Sequence, residues 1–207
     1  LGDKPKADSL RRLALPILFE MSEEREVRIG RLFDLATTLE RLDRFEEAKP
    51  YFERILAFDP FNAGALNYYG YSLMVRGEQL QRADTLVTRA LAVEPNNEAY
   101  IDSKAWSLHL QGRHQEALEL LDALEQNGKL NHGEMCEHKA LILEALGRNS
   151  EALSYWKRVV ELYPAYAKRI KSLPEELKEQ TLSGEENVEE EREVTPPAAE
   201  TKKAPKK

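Results

Sequence analysis

Small and apolar residues recur along this chain at a spacing of 34 or 35 residues. Four alanines follow short polar turns, and each precedes a large apolar residue by four positions. The alanines are Ala48, Ala83, Ala117 and Ala152, and the apolar partners are Phe52, Val87, Leu121 and Trp156. A second set of small residues keeps the same period about twelve positions earlier: Ala36, Gly70, Ala105 and Ala140. A fixed period of this size predicts stacked supersecondary units.

Each unit contains two runs of apolar residues at helical spacing with a polar turn between them. In the first unit, Leu32, Ala36 and Leu39 show the return every three or four positions that is typical of a helix face. Residues that break helices stand in the turns: Asp43-Arg44, Gly77, Gly112-Arg113 and Gly147-Arg148. Three of the four units close with a proline: Pro60, Pro95 and Pro164. No run alternates polar and apolar residues long enough for a sheet, so the pattern predicts an all-α solenoid.

The period divides the chain into four full units and three flanking segments. The four units are predicted at 29–62, 63–97, 98–132 and 133–166. Two local departures are expected: a longer turn at Gly77–Gln81, and a break in curvature at 126–128, where no proline closes the third unit.

The flanking segments each have a predicted role. Residues 1–28 are predicted to hold a partial earlier repeat, because Ala14 lies 34 residues before Ala48 and Leu10–Met21 fits a second helix. Residues 167–182 are predicted to form a capping helix, and the charged residues 183–207 a disordered tail. The chain begins with Leu rather than Met, which suggests a fragment or processed form with repeats missing before it.

The motif positions identify the family that the chain resembles. In the second unit the pattern reads Leu66, Tyr69-Gly70, Leu73, Ala83, Val87, Ala90 and Pro95. This pattern resembles the tetratricopeptide repeat, and four copies in register make the resemblance specific. The resemblance implies a right-handed superhelix of antiparallel helix pairs. It also implies a binding function, since such arrays build extended concave surfaces.

In this family the first helix of each unit lines the inner groove. The lining positions are those three before, one after and four after the first small residue. Carried onto this sequence, the resemblance implies a partner-binding groove with ten residues: Phe33, Thr37, Asn67, Tyr71, Met74, Asp102, Trp106, His109, Glu137 and Leu141. Aromatic anchors among a few polar groups are typical of peptide-binding surfaces. For Trp106, the alternative to a place in the groove is a place in the helical core.

Two charge features refine the expected ligand. Some members of the family grip a C-terminal carboxylate with a Lys, Asn and Arg clamp, and the matching places here hold other residues, including Phe33 and Thr37. An acidic edge is expected instead, and it favours a positively charged ligand. Its members are Glu40, Asp102, Glu137 and Glu144.

The segments Leu66–Leu73 and Ala99–Trp106 are similar to bacterial multi-repeat proteins, many of them predicted envelope proteins or lipoproteins. The resemblance therefore implies a bacterial source and an envelope location, in the periplasm or at the outer membrane. A cytoplasmic location stays the alternative, because nothing in the composition separates the two. Cys136 is the only cysteine, so no internal disulfide forms and the compartment cannot be read from it.

Composition excludes several classes of protein. The net charge of -7 argues against nucleic-acid binding, which needs concentrated Lys and Arg. No stretch approaches the roughly 20 apolar residues of a membrane span. His132, Cys136 and His138 cluster, but nothing nearby completes a four-ligand zinc site. No glycine-rich phosphate loop or nucleophile–base pair is present. We therefore predict no enzyme, no metal and no cofactor.

Two classes of function fit these observations. The first is a protein–protein interaction scaffold that binds a partner peptide or helix in the concave groove, as part of an envelope-associated assembly. The second is a structural module that self-associates into a homo-oligomer through the solenoid ends. An accessory role in a larger protein is a third possibility.

Overall fold

The computed structural model describes residues 24–168, 170–175 and 177–178. Every regular element in these ranges is an α-helix. The helices are α1 (24–41), α2 (Phe45–Phe58), α3 (Ala63–Val75), α4 (Leu80–Val93), α5 (Glu98–Leu110), α6 (His114–Gln126), α7 (Gly133–Ala145), α8 (Asn149–Leu162) and α9 (Pro164–Ala167). The expectations for Leu10–Met21 and for the tail 183–207 lie outside the described residues.

The helices pair as the repeat predicts. Helices α3 and α4, α5 and α6, and α7 and α8 pack as hairpins, and α4 contacts α5 as α6 contacts α7. Each predicted unit therefore holds one helix pair, stacked on the next pair. The all-α solenoid is confirmed. Helix α1 is already present at residue 24, five residues before the predicted start of the first unit.

The small residues of the motif lie where paired helices approach each other most closely. Ala36, Ala105 and Ala140 are 0% exposed. Gly70 shows the reason, because a Cβ placed there would lie 2.9 Å from Cγ1 of Val87 and 3.0 Å from the carbonyl oxygen of Ala83, both in α4. The helices of a unit are too close for a larger side chain at this point.

The turn between the helices of each unit uses one left-handed residue to end the first helix. Gly112 has φ of 77°, and the backbone N–H of Arg113 donates to the carbonyl of Leu108 at 2.9 Å. This is the hydrogen bond of a glycine C-cap. The expected longer turn of the second unit is also present, since residues 76–79 separate α3 from α4 while 111–113 separate α5 from α6. Gln79, with φ of 45°, accommodates the extra residue.

The connection between the third and fourth units is longer than the others. Residues 127–132 separate α6 from α7, whereas 94–97 separate α4 from α5. Leu130, only 2% exposed, anchors the longer linker in the core, and Nη2 of Arg158 donates to its carbonyl oxygen at 3.0 Å. The break in curvature expected here stays a prediction.

The contact between successive units includes a polar pair at one repeated position. The residue directly before the small residue of each first helix reaches the second helix of the preceding unit. Tyr69 donates from its hydroxyl to Glu53 at 2.8 Å, and Nζ of Lys104 donates to Asp84 at 2.5 Å. Lys139 is 3% exposed and pairs with Asp122 at 2.7 Å. These pairs satisfy the polar groups that the stacking of units covers.

The segment after the fourth unit differs from the single helix expected over 167–182. Helix α9 ends at Ala167, residues 170–174 are not helical, and helical backbone returns at residue 175. Pro174 explains the division, because proline disfavours helical backbone in the residue before it and suits the start of a helix. The capping contact is nevertheless present, since Leu173 and Leu177 are each 2% exposed and pack in the core of the last two units.

The close approach at Gly70 gives a first prediction. We expect Gly70→Ala to lower the free energy of unfolding by about 1–2 kcal/mol, because the new Cβ forces α3 away from α4. Urea denaturation followed by circular dichroism measures the change.

Gly30 provides the matched control for this experiment. It lies within α1, and a Cβ placed there would meet nothing within 4 Å. We expect Gly30→Ala to raise the free energy of unfolding by about 0.5–1 kcal/mol, through helix propensity alone. Equal effects of the two substitutions would contradict the packing role of Gly70.

Candidate functional site

The ten residues expected in the groove are more buried than a binding surface requires. Thr37, Met74 and Asp102 are 7%, 3% and 5% exposed, so their placement on the groove surface is corrected. The other seven are half-buried: Phe33, Asn67, Tyr71, Trp106, His109, Glu137 and Leu141.

The curvature of the array causes this burial. Helix α3 contacts α5, and α5 contacts α7, so the first helices of successive units form a continuous inner layer. Tyr71 of the second unit even reaches Glu134 and His138 of the fourth. Positions that would face an open groove in a flatter array therefore face a neighbouring helix here.

A chain of hydrogen bonds runs across this inner layer through three helices. His138 of α7 donates from Nδ1 to both carboxylate oxygens of Asp102 in α5, at 3.0 Å each. Its Nε2 lies 3.2 Å from the hydroxyl oxygen of Tyr71 in α3. That hydroxyl donates to Oε1 of Glu134 at 2.5 Å. The chain joins the second, third and fourth units.

Trp106 lies between two histidine rings at the centre of the same layer. Its ring is stacked on His138 with centroids 4.3 Å apart and on His109 with centroids 4.9 Å apart, both at 15°. His109 in turn meets His114 across the turn of the third unit, with their Nδ1 atoms 3.1 Å apart. Only one of these two atoms carries the proton of that hydrogen bond.

The two histidines that stack on Trp106 have opposite pKa shifts. Burial by itself would lower the pKa of His138, but the charge of Asp102 and its hydrogen bond raise that pKa to about 9. Burial and the charges of His114 and His138 lower the pKa of His109 to about 4. At neutral pH the indole therefore lies between a cationic and a neutral imidazole.

The carboxylates of the acidic edge expected along the groove also take part in internal contacts. Besides Asp102, Glu40 pairs with Arg76 at 2.8 Å, and Glu144 accepts from Nε1 of Trp156 at 2.7 Å. Glu137 accepts hydrogen bonds from Tyr166 and Ser172. The partners of Glu137 and Glu144 are neutral donors, and Glu144 is exposed, so the selection of a cationic ligand by this edge stays a prediction.

Phe33 and Leu141 mark the two ends of the inner layer. Phe33 packs edge-on against Tyr68 and Phe52, with centroids 5.8 Å and 6.3 Å away. Leu141 packs against the core of the last two units. Both are half-buried, so each presents part of its apolar surface on the inner face.

Two buried polar atoms of the inner layer have no hydrogen-bond partner. Within the part of the chain that the structure describes, these are Oδ1 of Asn67 and Nε1 of Trp106. Leaving a buried donor or acceptor unpaired costs about 1–3 kcal/mol. One is an acceptor and the other a donor, as the N–H and C=O groups of a peptide backbone would require.

His138 and Glu134 are the inner-layer residues that the sequence argument missed. The sequence pattern places His138 only in a cluster with His132 and Cys136, and it gives Glu134 no role. A signal was available, because His138 directly follows the inner position of Glu137. In an inner layer that curves tightly, residues next to the lining positions also contact the neighbouring helices.

Two observations bear on metal and thiol chemistry in the described ranges. No group of three or more His, Cys, Asp or Glu residues there has metal-binding geometry. Cys136 is 0% exposed, and burial raises the pKa of its thiol to about 11, which disfavours the nucleophilic thiolate. The helices of residues 24–168 include none with the length and apolar character of a membrane span.

The opposite pKa shifts of His138 and His109 predict that the stability of the fold passes through a maximum as the pH is varied. His138, with its raised pKa, stabilises the fold below pH 6.5, and this contribution is lost as the pH rises through about 9. His109, with its lowered pKa, stabilises the fold above pH 6.5, and this contribution is lost as the pH falls through about 4. We expect the combined contribution to peak near pH 6.5.

Chemical denaturation at pH 5, 6.5 and 8.5 measures this dependence. The variant His138→Gln keeps a hydrogen-bond donor toward Asp102 but does not titrate. Between pH 6.5 and 8.5 we expect it to lose roughly 2 kcal/mol less unfolding free energy than the wild type. His109→Gln should remove the loss below pH 6.5 and leave the alkaline limb unchanged. Identical pH profiles for the wild type and both variants would rule out the assigned shifts.

Comparison with known proteins places this geometry in a family. A family model described as tetratricopeptide repeat matches residues 33–83, and a second of the same description matches 138–166. No curated protein sequence matches the chain significantly. The third unit, 98–132, lies between the two matches, and it departs from the pattern of the other three by lacking a closing proline.

Solved structures share the fold. MamA AMB-1 in its P212121 form is 24% identical with a TM-score of 0.51, and the match covers 65% of this chain and 78% of that one. PilF of Pseudomonas aeruginosa is 21% identical with a TM-score of 0.58, over 75% of this chain and 70% of that one. The repeat period, the stacked helix pairs and these matches agree: the chain contains tetratricopeptide repeats, matched at residues 33–83 and 138–166, and has their solenoid fold.

Proposed function

We propose that the chain is a non-catalytic scaffold that holds a peptide segment of a partner protein against its inner face. Arrays of this family are interaction scaffolds that build extended concave surfaces. The observation that carries the finer proposal is the pair of unpaired polar atoms, Oδ1 of Asn67 and Nε1 of Trp106. Both atoms belong to half-buried side chains of the inner layer, and we propose that a bound peptide pairs with them there.

The chemistry of the inner face defines the ligand. Asn67 accepts a hydrogen bond from a backbone N–H, and Trp106 donates to a backbone carbonyl, so an extended peptide satisfies both. Phe33 and His109 add half-buried ring surface beside them. Since the carboxylates of this face already have partners, we propose recognition by backbone hydrogen bonds and apolar contact rather than by charge. An assembly at the bacterial cell envelope is the proposed setting.

Trp106→Phe tests this proposal, because it deletes the N–H and keeps an aromatic ring between the two histidines. We expect the affinity for peptides selected from a displayed random library on the wild type to fall about tenfold. The free energy of unfolding is measured as well, because the substitution also removes ring atoms that stack on His109 and His138. A loss of affinity in a variant that is still fully folded supports the role of the N–H. Fluorescence anisotropy and urea denaturation supply the two readouts.

Lys157→Ala, an exposed substitution on α8, is the matched control and should leave the peptide affinity unchanged. Equal affinities of the wild type and Trp106→Phe would refute the role of the indole. A library that yields no binder would refute the inner face as a peptide site.

The second candidate function is self-association through the first unit. Helix α1 exposes apolar surface at Val27 (53%) and Leu35 (41%), and Leu42 directly after it is 61% exposed. Uncapped repeats tend to stack, so this surface would join two copies if nothing else covers it. A concentration series by light scattering separates the candidates, because only self-association predicts a mass that rises with concentration.

A further inference from the structure

A side-chain bridge links two helices of the inner layer that are not neighbours. Helix α5 lies between α3 and α7 in this layer and contacts both. The hydroxyl of Tyr71 in α3 nevertheless donates to Oε1 of Glu134 in α7 at 2.5 Å, and it lies 3.2 Å from Nε2 of His138. Among the hydrogen bonds of the described residues, these two are the ones that join α3 to α7. The second and fourth units are therefore tied directly, across the third.

The bridge packs with side chains of the helix that it crosses. The ring of His138 meets the ring of Tyr71, with centroids 5.9 Å apart, and the ring of Trp106 in α5, with centroids 4.3 Å apart. His138 also donates to Asp102 of α5. In a curved layer, a side chain that joins the outer two of three helices lies on the concave side of the middle one. The bridge thus lies on the inner side of α5.

The two polar links of this group differ in their exposure. Asp102 and His138 are 5% and 3% exposed, so the hydrogen bond between them is shielded from water. Glu134, in contrast, is exposed. Water can replace the hydroxyl of Tyr71 at an exposed carboxylate, and the net free energy of such an exchange is small. The bond between Tyr71 and Glu134 is therefore the easier of the two links to open.

The indole N–H of Trp106 is the group that gains from this opening. Nε1 is buried and has no partner, although the side chain as a whole is half-buried. An unpaired buried donor is unfavourable, and exposure gives it water or a ligand carbonyl as a partner. We propose that the hydrogen bond between Tyr71 and Glu134 is a latch that holds the inner face closed over this N–H, and that a ligand reaches the N–H only when the latch opens. The ligand part of this inference rests on the proposed peptide binding, and the latch itself does not.

Solvent exchange of the indole N–H tests the latch in the full chain. The chain has two tryptophans, so its nitrogen-15 spectrum has two indole signals. Trp156 is 1% exposed and donates to Glu144, so its signal reports on any general loosening of the fold. We expect Tyr71→Phe and Glu134→Ala each to raise the exchange rate of the Trp106 N–H about tenfold, as the loss of one hydrogen bond would do. The exchange rate of the Trp156 N–H should stay unchanged.

Two matched controls and a double variant make the test specific. Tyr163→Phe removes a hydroxyl that donates to a backbone carbonyl in the linker before α7, and Glu46→Ala removes an exposed carboxylate from the first turn of α2. Neither belongs to the latch, so the Trp106 N–H should exchange as in the wild type. The double variant Tyr71→Phe, Glu134→Ala should exchange no faster than Tyr71→Phe alone, because both substitutions remove the same bond.

Peptide affinity tests the ligand part of the inference. We expect Glu134→Ala to bind the peptides selected on the wild type about tenfold more tightly, because the open state no longer has to be drawn from a closed one. A library that yields no binder would refute the peptide site, and the exchange rates would still decide on the latch. The two failures are therefore distinguishable.

Three outcomes would overturn the inference. Unchanged exchange of the Trp106 N–H in both single variants would show that the bond does not close the inner face. Additive effects in the double variant would show that the two residues act separately. Faster exchange combined with unchanged or weaker peptide binding would show that the latch does not control access for a ligand.

Discussion

The stacking of one helix pair on the next is the contact on which the rest of this structure depends. In the second, third and fourth units, the second helix of the preceding unit covers one face of the first helix. The polar side chains on that face have their partners in the preceding unit. Lys139 is 3% exposed because Asp122 and Glu125 meet it from the unit before. Stability is therefore a sum of neighbouring contacts, and the two ends of the array need separate solutions. At the carboxyl end, Leu173 and Leu177 pack against the core of the last two units and cover it.

The same stacking determines the inner face. Since successive first helices touch, side chains that would be free in a flatter array become links between units. Tyr71 and Glu134 join the second unit to the fourth, and His138 holds Asp102 between them. The indole of Trp106 is stacked on the ring of His138, so each of these side chains holds the other in position.

Local features of the fold were predictable from the sequence, and non-local ones were not. The period of small residues predicted the helix pairs, and Gly77 and Gly112 predicted the turns, because both signals act within a few residues. The burial of Asp102 and Met74 depends on the angle between successive units, which no single repeat encodes. Pro174 is a local signal as well, because a proline disfavours helical backbone in the residue before it, yet the prediction of one capping helix over 167–182 does not take it into account.

The internal use of charge bears on what the inner face can recognise. Four carboxylates expected to attract a cationic ligand instead bind Arg76, His138, Trp156 and the pair Tyr166 and Ser172. Removing any of them would disturb the array before it disturbed a ligand. The polar atoms of Asn67 and Trp106 differ from these carboxylates, because they have no hydrogen-bond partner in the part of the chain that the structure describes. If the proposed peptide binding holds, these atoms favour an extended backbone, and sequence is selected only through the apolar residues that fit beside it.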